Sequence, residues 1–168
     1  MSIGSEAQVP TSCSFPSGFT VCQDPTGRWI VQFREASRGQ SHELLIKNLS
    51  NGQLRKILEF QRHADAAWSP GGHALAITDH AGSNESTLWV VTGPNFQRVV
   101  NIEDQLRTSL GELPEIYNNG HRYFEAVRWI GTNNLLFRVR AYDSEPGKEY
   151  RATFRYQLGG RVRRETDK

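Results

Sequence analysis

Apolar residues occur in short runs along this chain, separated by clusters of Gly, Pro, Asn, Asp and Ser. That is the pattern of β-strands and turns, not of long helices. Three segments share one layout, a tight turn followed by a strand. The first is Asp24-Pro25-Thr26-Gly27 leading into Arg28-Trp29-Ile30-Val31-Gln32-Phe33. The second is Ser69-Pro70-Gly71-Gly72 leading into His73-Ala74-Leu75-Ala76-Ile77-Thr78, and the third Gly131-Thr132-Asn133-Asn134 leading into Leu135-Leu136-Phe137-Arg138-Val139. Proline presets φ at the second turn position, and a following Gly or Asn tolerates the positive φ that closes a turn. In the second and third copies an apolar run, 66–68 and 126–130, leads into the turn and completes a hairpin.

A second hairpin follows in each copy. After the first come residues 42–49, Ser50-Asn51-Gly52 and residues 53–58; Asn-Gly between apolar runs is the strongest short-range hairpin signal. After the second, 87–91 is followed by Thr92-Gly93-Pro94 and 96–100; after the third, 150–156 by Gly159-Gly160 and 161–163. The order strand, turn, strand, loop, strand, turn, strand predicts a four-stranded antiparallel sheet per unit. Pro25 and Pro70 are 45 residues apart, whereas Pro70 and Gly131 are 61 apart, because the second junction carries an insertion.

The insertion holds the one helix the pattern predicts, near 102–110. Asn101 suits an N-cap, and Glu103 and Asp104 place negative charge in the first turn, where the helix dipole favours it. Leu106 and Leu110 share a face at i, i+4, and Gly111 provides the stop. Residues 112–120 then form a long loop back to strand, a place where function is often carried.

The segment Ala67-Trp68-Ser69-Pro70-Gly71-Gly72-His73-Ala74-Leu75-Ala76-Ile77, continued by Ser86-Thr87-Leu88-Trp89-Val90-Val91, resembles the bacterial WD40-like blade repeat. Such blades occur in TolB-type periplasmic propellers and in the propeller domains of prolyl-oligopeptidase-type peptidases. Their pattern is Trp-Ser-Pro-Asp-Gly, an apolar strand, a polar loop and an aromatic-centred strand. Gly71 stands where the family has Asp, the first copy lacks the leading Trp, and the third keeps Trp129 without the Pro. The resemblance covers about residues 23–160. It implies an all-β fold of about three antiparallel propeller-like blades in a single domain, 1–168. The units are an N-terminal arm over 1–22, unit 1 over 23–60, unit 2 over 64–100, a helical insertion over 101–120 and unit 3 over 121–164. Propellers close with about four to eight blades, so three units predict an open or incomplete ring. A ring completed by a second copy through the open sheet edges is the alternative. The helix and the N-terminal arm are candidates for covering those edges. Trp68, Trp89 and Trp129 lie at equivalent or nearly equivalent repeat positions, which makes them packing residues.

Composition agrees with a folded domain: 37% hydrophobic and 23% charged residues, with four Trp, eight Phe and five Tyr to build a core. The formal charge of +2 is too small to imply nucleic acid, but it is unevenly spread. Residues 119–168 carry a net +5 and the rest a net −3, so the last third offers a basic surface to an acidic partner. No apolar run is long enough to span a membrane, and the first ten residues do not read as a signal peptide. Cys13 and Cys22, the only cysteines, bracket a turn-rich segment and suit a disulfide closing a short loop. That favours a periplasmic or secreted setting, with the cytoplasm as the alternative.

No catalytic set is visible. Gly82-Ser83-Asn84-Glu85-Ser86 misses the last glycine of a nucleophile elbow, and Gly159-Gly160 opens no helix and so makes no phosphate loop. His63-Ala64-Asp65 and Asp79-His80 each offer two metal ligands, yet no third is identifiable. The reading is therefore a protein that is not an enzyme, with no metal and no cofactor. Binding of another protein is expected at two polar loops, through Asp79, His80 and Asn84 in one and Tyr117, Asn119, His121, Arg122 and Tyr123 in the other. One concrete form is an inhibitor or immunity protein directed at a toxin or cell-wall enzyme in the bacterial envelope. The alternative is a small-ligand binder, or a hydrolase-associated propeller fragment, using the Asp79–Asn84 loop.

Overall fold

The computed structural model of the 168-residue chain describes residues 11–16, 21–35, 37–111, 113–114, 117, 121–143 and 147–166. They form three antiparallel sheets of four strands, each one blade. The first blade is β2 (Val21–Gln23), β3 (Trp29–Arg34), β4 (His42–Asn48) and β5 (Leu54–Phe60). The second is β6 (Ala64–Trp68), β7 (Ala74–Asp79), β8 (Glu85–Thr92) and β9 (Arg98–Asn101). The third is β10 (His121–Ile130), β11 (Asn134–Tyr142), β12 (Glu149–Gln157) and β13 (Arg161–Arg164). A thirteenth strand, β1 (Ser12–Phe15), pairs antiparallel with the free edge of β6. β8 and β10 meet in parallel over two residue pairs, Glu85 with Arg122 and Ser86 with Tyr123. The ring does not close within this chain, as three units require.

The repeat is visible atom by atom in the turns. Asp24 accepts from the backbone N–H of Trp29 at 2.6 Å, and Ser69 Oγ, at the same repeat position, accepts from that of Ala74 at 3.1 Å. Gly72 has φ +68°, and a Cβ there would collide with the Asp24 carboxylate, so the turns of the first two blades meet at a position only glycine fits. The tryptophans that end the inner strands tie each blade to the one before it. Trp68 Nε1 donates to Cys22 O at 3.1 Å, and Trp129 Nε1 donates to Ala67 O at 3.0 Å. Cys22 and Ala67 are themselves equivalent in the repeat, three residues ahead of Pro25 and Pro70. The inner strand of the first blade, β2, straddles the boundary read from sequence between the N-terminal arm and unit 1; at three residues it is too short to show a pattern.

Two cores separate the three blades. Cys22, Val31, Leu44, Ile46 and Phe60 of the first blade pack against Ala66, Trp68, Leu75 and Ile77 of the second. Ala76, Leu88 and Val90 on the other face of the second blade pack against Phe124, Phe137, Val139, Phe154 and Tyr156 of the third. The middle blade is thus buried on both faces, and β7 is buried at every position from Ala74 to Thr78. β11, at the end of the stack, alternates instead, with Leu135, Phe137, Val139 and Ala141 buried.

The insertion forms α1 (Ile102–Leu110), with Asn101 Oδ1 capping the N–H of Glu103 at 2.9 Å. Ile102 and Leu106 are buried in the second core, whereas Leu110 is exposed. The buried pair, Ile102 and Leu106, therefore lies one turn earlier than the Leu106–Leu110 pair read from sequence. Ser109 Oγ accepts from the N–H of Val162 at 3.2 Å, fixing α1 against β13.

Candidate interaction surface and inner cleft

The two loops singled out in the sequence come together. Where β8 and β10 start side by side, Arg122 N–H donates to Asn84 O at 3.1 Å and the Tyr123 hydroxyl donates to Ser83 O at 2.8 Å. Tyr123 and Tyr142 hydroxyls are 3.0 Å apart, and the Tyr142 ring stacks on His121 at 4.7 Å with an 11° tilt. The Arg140 guanidinium lies over the Tyr123 ring at 5.0 Å. Burial, helped by the hydrogen bond with Tyr142, pushes the Tyr123 phenol up to about 12. This row of rings sits on the face of the third blade that points away from the second, and Tyr142 is 37% exposed.

Arginines continue that outward face. Arg138 and Arg140 on β11, Arg151 and Arg155 on β12 and Arg163 on β13 alternate with the buried apolar residues. Arg140 sits directly across from Arg151, and Arg155 from Arg163. Like charges opposite one another are destabilising, and each of these four arginines reaches a glutamate: Arg140 meets Glu125 at 3.0 Å, Arg151 meets Glu149 at 2.5 Å, and Arg155 and Arg163 share Glu165 at 2.7 and 3.8 Å. Three glutamates against five arginines leave the face net positive.

Two contact residues proposed for the second loop turn away from this surface. Tyr117 is fully buried, packed edge-on against Phe124 at 5.6 Å with Arg107 over its ring, and burial holds its phenol far above the ordinary range. It is a core residue, so an exposed contact role for it is corrected. Arg122 turns its guanidinium to Glu103 on α1, at 3.6 Å. Asn119 lies outside the described residues. Asn84 is exposed beside Tyr123.

Asp79 and His80 are adjacent in sequence but do different things. Asp79 is half-buried with no hydrogen-bond partner for Oδ1 among the described residues, and burial raises its pKa. His80 Nε2 instead meets Asp65 Oδ2 at 2.9 Å, and His63 Nε2 meets Asp65 Oδ1 at 3.2 Å. The missing third ligand of the sequence reading is thus supplied by the β6–β7 hairpin, whose open end brings His63 and His80 together through a backbone bond of 2.9 Å. Ser14 on β1, directly opposite Asp65 in register, donates to the same carboxylate. Burial alone would raise the Asp65 pKa, but the hydrogen bonds of Ser14, His80 and His63 hold it below the ordinary value.

Beside this cluster lies a cleft of about 620 Å³ between β1, β6, β7 and β10. Asp65 and His80 line it together with Ser12, Thr78, Glu125 and Arg128. Cys13 and Cys22 form a disulfide, with their Cα atoms 5.9 Å apart, that holds β1 against the inner strand of the first blade.

Among solved structures, the β-propeller domain of the Trilobed protease from Pyrococcus furiosus, described as having an open velcro topology, superposes with a TM-score of 0.57 at 14% identity. The match covers 89% of this chain and 43% of that one. The fold is a β-propeller, left open. TolB from Acinetobacter baumannii also matches, at a TM-score of 0.41 and 14% identity over 89% of this chain and 32% of that one. The chain therefore spans less than half the length of either structure. No family model and no curated protein matches it. In propeller terms β2, β6 and β10 are inner strands, the cleft lies at the hub, and β1 is an added strand within it. No helix of the described residues is long and apolar enough to cross a membrane.

Proposed function

We propose that this open propeller is a protein-binding module that docks an acidic partner on the outward face of its third blade and performs no catalysis itself. The observation that carries this reading is the row of His121, Tyr142, Tyr123 and Arg140 beside Ser83 and Asn84, half-buried and opening to solvent at Tyr142. Tyr and Arg are the residue types enriched where binding energy concentrates. The arginines of β11, β12 and β13 outnumber the glutamates that pair with them, and the surplus positive charge favours an anionic partner. The Cys13–Cys22 disulfide supports an envelope or secreted setting. An inhibitor or immunity protein acting on a toxin or cell-wall enzyme is the concrete form this takes. Affinity capture from an envelope extract, run in parallel with wild-type protein and with Tyr142→Ala/Arg140→Ala, tests it. The expected result is one protein retained near stoichiometrically by the wild type and lost by the variant. Equal retention by both, or none by either, defeats the reading.

The hub cleft supports a second reading, a small-ligand binder using Asp65, Thr78 and His80, since its volume suits a small molecule. Ligand-screen stabilisation that vanishes in Thr78→Val and persists in Tyr142→Ala would favour it over docking.

A further inference from the structure

We infer that His63, Asp65 and His80 form a binding site for a divalent transition-metal ion of the zinc class, at the wall of the hub cleft. Three side chains from two strand ends converge there, and their ligand atoms all lie within 4.8 Å of one another. In a tetrahedral zinc site with bonds of about 2.0–2.2 Å, neighbouring ligand atoms are about 3.3 Å apart. The two His–Asp separations are 3.2 and 2.9 Å, so both pairs already stand near the coordinating spacing, and the ligand atoms of the two imidazoles lie within 4.8 Å of each other. Both imidazoles present Nε2, and the carboxylate presents one oxygen to each. Two imidazoles and one carboxylate are a donor set that suits zinc, cobalt or nickel and disfavours magnesium or calcium, which take oxygen ligands.

The surroundings fit the same reading. Ser14 donates to the Asp65 carboxylate from the neighbouring strand, as outer-shell partners of metal-bound carboxylates do. The backbone bond from His80 to His63 and the β6–β7 pairing hold both histidines at the open end of one hairpin. The side chains of His63 and Asp65 are half-exposed, so an ion reaches them without the fold opening. Two of the three ligands also line the cleft. Three protein ligands leave a coordination position for water or for a group from a bound molecule. The disulfide removes both cysteines as competing soft ligands.

The test is a titration of untagged protein with cobalt(II), followed by visible absorption, with calorimetric titration of zinc(II) beside it. One equivalent of cobalt is expected to bind with the d–d bands of a low-coordinate nitrogen–oxygen site and to be displaced by zinc, while magnesium has no effect. His63→Ala and His80→Ala should each weaken zinc binding by at least about 10–100-fold, the loss that follows removal of even an outer-shell partner. Circular dichroism confirms that the variants fold, and His73→Ala, at an exposed histidine outside the cluster, should bind as the wild type does. No binding at millimolar metal, or binding unchanged in both histidine variants, overturns the site and leaves a hydrogen-bonded clasp.

Discussion

The first and third blades both end the stack, and each packs one face on the middle blade, yet their outward faces differ. On the first blade Glu43 pairs with Arg34 and lies 3.6 Å from Lys56, which reaches Glu59 at 2.6 Å, so acids and bases are interleaved. On the third, five arginines stand in a sheet face with two Arg–Arg pairs directly opposed, and only Glu125, Glu149 and Glu165 pair with them, beside a row of aromatic rings. The inward faces differ as well. The third blade contributes a ladder of Phe124, Phe137 and Phe154, whereas the first contributes mostly aliphatics and is tied down by the disulfide. An end face finished with balanced ion pairs is complete in water. One with a surplus of arginines over glutamates and rings that open to solvent at Tyr142 is organised for something else to cover it.

The largest effect should come from the inward faces. Phe137→Ala is expected to cost about 3–5 kcal/mol and Leu44→Ala about 2–5 kcal/mol, read by urea unfolding. If Phe137→Ala costs under 1 kcal/mol by that measure, roughly a surface-level effect, the aromatic ladder does not hold the third blade. Next, replacing Cys13 and Cys22 by Ser should cost about 2–3 kcal/mol for the short loop it opens. Hydrogen exchange should then speed up in β1 and β2 while β11 and β12 keep their protection; uniform loosening would erase the contrast between the two ends.

A pH effect separates the blades too. The Tyr123 phenol is held neutral up to about 12, against about 10 in an unfolded chain. Its contribution to stability is therefore complete below about pH 10 and lost as pH rises toward 12. Alkaline absorbance titration should show late tyrosine ionisation that Tyr123→Phe reduces by one phenol. The smallest effect on stability belongs to charge reversal: Arg138→Glu and Lys47→Glu should each change it by less than about 0.5 kcal/mol. Heparin retention at low salt should nonetheless fall more for Arg138→Glu, and equal losses would mean the two faces are electrostatically alike.

Much of the fold was legible along the chain because each blade announces itself locally. Turn residues at 24–27, 69–72 and 131–133 and the Asn51-Gly52 hairpin mark strand ends, and Asn101 and Gly111 bracket the helix. Leu110 was misplaced because i, i+4 spacing defines a face but not which turns of that face the neighbouring strands cover. The interaction surface was half legible. Two polar loops pointed to Asn84, His121 and Tyr123, but Tyr142 and Arg140 enter only through the pairing of β10 with β11. Tyr117 carries the same side chain in a surface contact or a core, and only packing distinguishes them.

What the sequence by itself determined is the repeat, its three copies and the alternation that tells a covered face from an open one, since these follow from turn chemistry and the period of a strand. Tertiary structure alone decided which distant residues meet. Trp68 finds Cys22 O and Trp129 finds Ala67 O only when blades stack. His63, Asp65 and His80 converge only when the β6–β7 register is set and β1 is laid beside β6. Register is a property of paired strands, and a one-residue slip would turn Asp65 from the cleft into the apolar core.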